Sequence, residues 1–299
     1  MENLRQQYLD NGYVIIPNLI PSTKIFNLLK SLEKVKRKDC LYYSQSEHNW
    51  RFLKSNLDQH KLIEASFENF TNLIWAKELS KLGRQILQSK EINEILKKLS
   101  GENKFCMWQN MLFDKSTGTL DHLDTYYLDT DPMGSLIAAW IALEDINGEG
   151  GSFHVFPGSH KQTSKEWINK THENYVYWCK ELASKFKRKE VLIKKGDVLF
   201  WHPSLLHGSS NQKIKGKSRK SLTAHYYPIN FLKGGQGKNS DVDSYEYKNK
   251  LSKRNKDFKF LKYTIESDMK NDLIFCAKGL LKYFIKNRPK LRMNRSLYE

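Results

Sequence analysis

Between residues 104 and 230 the chain alternates short apolar or aromatic runs with turn signals, and this pattern constrains the fold most. The runs are Phe105 to Phe113, Leu136 to Leu143, Phe153 to Phe156, Val191 to Ile193, Val198 to Trp201 and Leu222 to Tyr227. Each is rich in β-branched or aromatic residues, the composition of strands. Asn147-Gly148, Gly150-Gly151, Pro157-Gly158 and Gly196-Asp197 bound them with turn chemistry. Many short strands at such spacing predict a β-sandwich or double-sheet barrel. One helical excursion, roughly 164–187, interrupts them.

Helices are expected on both sides of this β-rich middle. Tyr8 to Gly12 ends a first short helix, and Tyr13 to Pro17 reads as a strand with its proline at the edge. Pro21-Ser22 opens a second helix, with Ser22 as the expected N-cap and Ile25, Phe26, Leu28, Leu29 and Leu32 at helical spacing. Lys61 to Ser100 is also expected to be helical, stopped by Gly101. The C-terminal third returns to helix, with Leu273, Ile274, Ala277, Leu281 and Phe284 as its expected apolar face. No repeat or Gly/Ser linker divides the chain, so 1–299 is expected to form one domain. It has a helical part at 1–103, a β core at 104–230 and a basic helical extension at 231–299.

The formal net charge is +17, and from Glu246 to Glu299 there are 15 Lys and Arg against 6 Asp and Glu. Such an excess favours anionic partners, although lysines on every solvated face would produce it too. Leu280 to Arg288 carries a basic apolar stripe that suits an anionic membrane surface, though such stripes more often pack on their own domain. No run of about 18 apolar residues occurs, and Met1 to Gln7 has no apolar signal core behind it, so a cytoplasmic protein with no integral membrane segment is expected. Cys40, Cys106, Cys179 and Cys276 form no CxxC pair and read as buried free thiols.

The chemistry is expected in Leu120-Asp121-His122-Leu123-Asp124. On a strand, residues i and i+2 share a face, so His122 and Asp124 would aim an imidazole and a carboxylate into one cavity. The third ligand must come from elsewhere, and His207, 83 residues after Asp124, is the best placed. Two His and one carboxylate make the facial triad of non-haem iron(II) oxygenases, which leaves coordination positions open for cosubstrate and dioxygen. A bare His-x-Asp pair is also what a metal-free surface turn looks like. Arg219, twelve residues after His207, adds a guanidinium suited to a two-pronged grip on a carboxylate, or else is one more exposed base in the run Lys213 to Lys220. His202 competes with His207 as ligand, and the Gly208-Ser209 that follows His207 favours the latter. His225 faces either cavity or core. Tyr126, Tyr127 and Trp201 read by default as core aromatics.

Four segments carry a family likeness: Tyr8-Leu9-Asp10-Asn11-Gly12-Tyr13-Val14-Ile15-Ile16; His122-Leu123-Asp124 with Tyr126 and Tyr127; Ala139 to Leu143 through Gly150-Gly151-Ser152 to Pro157-Gly158-Ser159-His160-Lys161; and Gly196-Asp197-Val198-Leu199-Phe200 to His207-Gly208-Ser209, Asn211 and Arg219. On these the chain resembles the phytanoyl-CoA dioxygenase family of iron(II)/2-oxoglutarate oxygenases, over residues 5 to about 230. The resemblance implies a mainly β fold with flanking helices around a double-stranded β-helix, a jelly-roll or cupin-like core. It implies Fe(II) held by His122, Asp124 and His207. It also implies 2-oxoglutarate and dioxygen as cosubstrates, with ascorbate as a candidate reductant. Arg219 would pair with the distal carboxylate of 2-oxoglutarate and Ser209 would donate a hydrogen bond to it. Trp140 and Met111 would line the cosubstrate pocket, and His160 would belong to a structural turn. Halogenating relatives carry Gly or Ala in place of the carboxylate, so Asp124 favours hydroxylation, with release of succinate and CO2.

The substrate is expected to be a small molecule, with the charge favouring an anionic one. Two alternatives remain at this level: an oxygenase acting on nucleic acid, for which no recognisable module exists, and a non-catalytic jelly-roll ligand-binding protein. Specificity is expected in loops over the barrel mouth: Ser44 to His60, Thr125 to Met133 and Gly234 to Ser244.

Overall fold

The structure is a computed structural model describing residues 2–44, 49–162, 167–168, 170–234 and 265–286. Helix α1 (Glu2–Asn11), strand β1 (Tyr13–Ile16) and helix α2 (Ser22–Lys38) open the chain. Strands β2 (Leu41–Ser44), β3 (Asn49–Phe52) and β4 (Phe67–Glu68) precede helices α3 (Lys77–Leu87) and α4 (Lys90–Ser100). Then come β5 (Phe105–Phe113), the one-turn helix α5 (Asp124–Tyr127), β6 (Asp129–Asp131), β7 (Ile137–Ala142) and β8 (Phe153–Val155). Helix α6 (His172–Ser184) leads to β9 (Lys189–Val191), β10 (Val198–Trp201), β11 (His207–Ser209), β12 (Ser221–Pro228), β13 (Leu232–Gly234) and helix α7 (Ile265–Lys286).

Eight strands form one antiparallel sheet in the order β1-β10-β7-β12-β5-β4-β2-β3. A smaller sheet, β11-β8-β9, faces it, and β13 pairs with β6 in a separate ribbon. The register assigns each residue to a face. Tyr13, Trp201, Ala138, His225 and Gln109 pair across neighbouring strands in one row, and Ile15, Leu199, Trp140, Thr223 and Met111 in the next. These rows point at the small sheet, where Trp140 and Trp201 pack with Phe153, Val155 and Val191. The alternate residues, among them Val14, Phe200, Ala139, Ile141, Leu222 and Leu112, pack with Ile25, Leu28 and Leu32 of α2, Leu79 of α3 and Leu96 of α4. Both faces are covered, which is why the strands read as continuous apolar runs rather than alternating ones. The fold is the expected jelly-roll type: mainly antiparallel β, with flanking helices.

Several elements differ from expectation. Residues 1–103 are not wholly helical, because β1 to β4 all join the large sheet. Within 61–100 only α3 and α4 are α-helix. Phe67, Phe70, Leu73 and Ala76 recur every third residue, the spacing of the two 3₁₀ turns at Phe70–Asn72 and Ile74–Ala76. Ser22 is the first residue of α2 rather than its cap, since the Pro21 carbonyl accepts from the N–H groups of Lys24 and Ile25. Gly101 does end α4, in the left-handed conformation. The helix within the insertion is shorter than 164–187, running His172–Ser184.

The expected apolar face of α7 is reversed: Leu273, Ile274, Ala277, Leu281 and Phe284 are exposed. The buried face carries Cys276 and Gly279, with Phe275 and Tyr283 beside the rings of Trp50 and Phe52. A Cβ at residue 279 would lie 2.3 Å from the Trp50 ring, so this close packing requires glycine. The charged tail beyond residue 286 lies outside the described residues, as do Gly235 to Ser244 of the expected third specificity loop. No described helix is long and apolar enough to cross a membrane. Cys106, Cys179 and Cys276 are buried free thiols, and Cys40 is half-buried.

Candidate active site

The site forms where the Thr119 to Asp124 segment crosses β11. Backbone bonds His122 N–H to His207 O (2.9 Å), His207 N–H to His122 O (3.1 Å) and Ser209 N–H to Thr119 O (2.9 Å) hold them together. Gly208 permits the crossing: a Cβ there would lie 2.6 Å from Asp121 Oδ1 and 2.9 Å from Thr119 O. The expected strand does not continue to Asp124, which begins α5. The carboxylate is turned inward by this helical start, with Leu123 extended before it and the Thr125 N–H bonded to Pro203 O. The Tyr175 hydroxyl on α6 accepts from the Leu123 N–H at 2.7 Å, and Tyr126 stacks on Tyr175 at 3.7 Å. The helical insertion thus buttresses the loop that carries His122 and Asp124.

Three side chains converge. His122 Nε2 lies 3.7 Å and His207 Nε2 3.6 Å from Asp124 Oδ1. One ligand atom of each falls within 4.8 Å of the others, so the three could hold one ion. Each imidazole is fixed from behind. His122 Nδ1 lies 2.8 Å from Leu120 O, and His207 Nδ1 2.8 Å from Leu205 O. A carbonyl accepts only from an N–H, so both Nδ1 atoms carry a proton and both Nε2 atoms face Asp124. Burial pushes His207 down to about 4, so its ring is neutral near pH 7. Burial alone would raise the Asp124 carboxyl, but the imidazoles of His207, His225 and His122 hold it well below the usual range. The donor set of two imidazoles and one carboxylate, without thiolate, suits ferrous iron.

Residues 8–221 match the family model described as Phytanoyl-CoA dioxygenase (PhyH). The chain belongs to the phytanoyl-CoA dioxygenase family. It is an iron(II)- and 2-oxoglutarate-dependent oxygenase. Human peroxisomal phytanoyl-CoA dioxygenase is 25% identical over 238 residues, covering 74% of this chain and 67% of the human protein. A Caenorhabditis elegans phytanoyl-CoA dioxygenase domain-containing protein 1 homolog is 23% identical, covering 75% of this chain and 90% of its own. Among solved structures, the non-heme alpha ketoglutarate dependent carbocyclase SnoK from nogalamycin biosynthesis superposes with a TM-score of 0.62 at 20% identity, covering 82% and 90% of the two chains. EctD from S. alaskensis, solved with 2-oxoglutarate and 5-hydroxyectoine, gives 0.54 at 15% identity, covering 77% and 76%.

In this family member Arg219 is not an exposed base. It is buried on the inner side, with its guanidinium carbon 5.6 Å from the centroids of both the Phe113 and Trp140 rings. Its Nε and Nη1 have no hydrogen-bond acceptor among the described residues. Burial lowers its pKa to about 10, which leaves it charged near neutrality. A buried cation with two unsatisfied N–H groups costs free energy until an acceptor meets them, so this site fits the carboxylate of a cosubstrate. Trp140 Nε1 and Ser221 Oγ are also buried without partners among the described residues. The Ser209 hydroxyl oxygen accepts from the Thr119 N–H at 2.9 Å, which leaves its own O–H to donate. Met111 is buried on the inner face, sharing a row with Thr223 and Trp140.

The other histidines separate clearly. His160 Nε2 donates to Leu9 O at 2.9 Å, a structural contact between turn and first helix. His202 Nδ1 accepts from the Ser204 N–H, away from the triad. His154 lies between Asp121 and Arg188. His225 faces the site, with Nε2 3.6 Å from Asp124 Oδ2. Two aromatics read as core are not simply core. Tyr127 is half-exposed beside His122, with its hydroxyl 3.0 Å from His172 Nε2, and Trp201 donates from Nε1 to Asp124 Oδ2 at 2.9 Å. The period-2 rule on Val198 to Trp201 could have placed Trp201 inward, since Phe200 and Val198 take the helix-covered face.

Proposed function

We propose that this chain hydroxylates a small organic substrate, with His122, Asp124 and His207 as its iron ligands and Arg219 as the partner of the distal carboxylate of 2-oxoglutarate. The observation that carries the reading is the pairing of a complete two-His, one-carboxylate set with a buried guanidinium whose Nε and Nη1 lack an acceptor among the described residues. Bound there, the iron would supply the redox chemistry that couples decarboxylation of 2-oxoglutarate to substrate oxidation. The chain's own residues orient and exclude. The Leu120 and Leu205 carbonyls fix both imidazole tautomers. Arg219 neutralises the cosubstrate's distal charge, Ser209 donates a hydrogen bond to it, and Trp140 and Met111 wall the pocket. Phe153 stacks on the His207 ring at 5.3 Å and closes that side against water. The retained carboxylate at position 124 supports hydroxylation, and the net charge of +17 supports an anionic substrate.

The test is anaerobic. Fe(II) and then 2-oxoglutarate are added to metal-free protein and the visible spectrum is recorded. A charge-transfer band that needs both additions, and is absent from His207→Ala and Asp124→Ala, is the expected result. Succinate release then serves to screen anionic small molecules. If no band forms and no iron is retained, the chain is a ligand-binding protein on this fold.

A further inference from the structure

The two oxygens of Asp124 have separate surroundings. Oδ1 is the atom 3.7 and 3.6 Å from the two inward imidazole nitrogens. Oδ2 accepts the Trp201 indole N–H at 2.9 Å and lies 3.6 Å from His225 Nε2. Trp201 and His225 stand on β10 and β12, on either side of β7, and both pair with Ala138 across the same row. Between two large rings, Ala138 offers only a methyl group, so there is room above it for a carboxylate. A bulge in the β12–β5 register begins at His225/Tyr226, a feature that often re-aims a side chain beside a site. His225 is buried, and neither ring nitrogen has a hydrogen-bond partner among the described residues. A buried imidazole without a hydrogen bond is costly, and Asp124 Oδ2, 3.6 Å from Nε2, is an acceptor that a small shift would bring within reach.

We infer that Trp201 and His225 form a clamp on Asp124 Oδ2 that restricts this residue to one-oxygen ligation through Oδ1. Both are positioning residues, outside the set of side chains that could hold the ion. The restriction has a chemical consequence. A carboxylate free to rotate can chelate through both oxygens and occupy a coordination position needed by a bidentate cosubstrate or dioxygen. Partners one shell out from a metal typically change affinity or activity about 10- to 100-fold when removed. The inference rests on the proposed iron site, and its test can fail separately.

The test uses Co(II), which reports coordination number through its visible bands and needs neither cosubstrate nor turnover. Trp201→Phe keeps the ring and deletes the N–H. It should bind Co(II) roughly 10-fold more weakly than the parent and show shifted, altered-intensity bands. His225→Leu should weaken binding in the same direction, and His225→Gln, which retains a side-chain N–H, should restore much of the loss. Parent-like affinity and spectra in Trp201→Phe would overturn the clamp while leaving the iron site intact. If Trp201→Phe does not fold, the Leu and Gln variants at 225 decide: weakening by Leu with recovery by Gln supports the clamp, and indifference to both overturns it. A parent protein that binds no Co(II) sinks the iron site and the clamp together.

Discussion

The two faces of the eight-stranded sheet are built from the same strands yet differ in polar satisfaction. Where the helices cover it, Val14, Phe200, Ala139, Ile141, Leu222 and Leu112 pack in one apolar cluster with residues of α2, α3 and α4. On the side facing the small sheet, Trp140 Nε1, Ser221 Oγ, both His225 nitrogens and two Arg219 nitrogens are buried without partners among the described residues. Native interiors leave few such groups, because each costs roughly 1–3 kcal/mol of desolvation. Both faces bury apolar clusters, but the inner one also holds donors and a cation that, under the proposed function, meet an anionic cosubstrate. The helix-covered face tolerates this arrangement because folding depends on the sum over both.

Substitutions on the two faces should separate these roles. Leu222→Ala removes a fully buried side chain from the helix-covered face. It should cost about 2–5 kcal/mol in urea unfolding and leave the KM for 2-oxoglutarate unchanged while the protein stays folded. Arg219→Gln should do the reverse. The KM for 2-oxoglutarate should rise on the order of 100-fold, in line with roughly 1.5–3 kcal/mol for a charge-assisted hydrogen bond. The metal-free protein should be as stable as the parent or more so, because an unpaired buried cation has gone. A large loss of stability in metal-free Arg219→Gln, with KM unchanged, would make Arg219 a structural residue and erase the contrast.

Acid should weaken the histidine-bearing side. Burial pushes both His207 and His202 down to about 4, with His160 adding to the lowering at His202. An unfolded histidine titrates near 6.5, so between about 6.5 and 4 the unfolded chain binds more protons than the folded one. Stability is then complete above about pH 6.5 and is lost as pH falls towards 4. Urea unfolding of the metal-free protein at pH 7 and pH 5 should show the drop. His202→Gln should flatten part of the slope without touching the metal ligands.

Much of this was legible in the sequence, and the misreadings have physical causes. Phe105–Phe113, Val198–Trp201 and the strand at 221–228 stood out because burial on both faces makes continuous apolar runs. Residues 61–76 were misread because a spacing of three in 3₁₀ turns imitates helical period. The buried face of α7 was misread because Leu273, Leu281 and Phe284 form the more apolar stripe, whereas packing chose the side where Gly279 admits Trp50. The metal set was legible from His122, Asp124 and His207, though Asp124 joins it through a helical start rather than a strand. Trp201 and His225 were not, since their roles follow from pairing across Ala138 on a strand distant in sequence.

The smallest effect should come from Ser209. Its hydroxyl oxygen already accepts from the Thr119 N–H, so Ser209→Ala removes two interactions at once: the donor proposed for the cosubstrate and the acceptor that ties Thr119 to β11. A neutral hydrogen bond contributes about 0.5–1.5 kcal/mol net, so the KM for 2-oxoglutarate should rise only several-fold. Ser209→Thr, which keeps the hydroxyl, should stay close to the parent. If Ser209→Ala instead lowers Co(II) affinity as strongly as the loss of a carboxylate partner does, its main role is to hold Thr119 and the His122 segment against β11. The contrast would then lie within the site-bearing face, between groups that meet the cosubstrate and groups that place the metal.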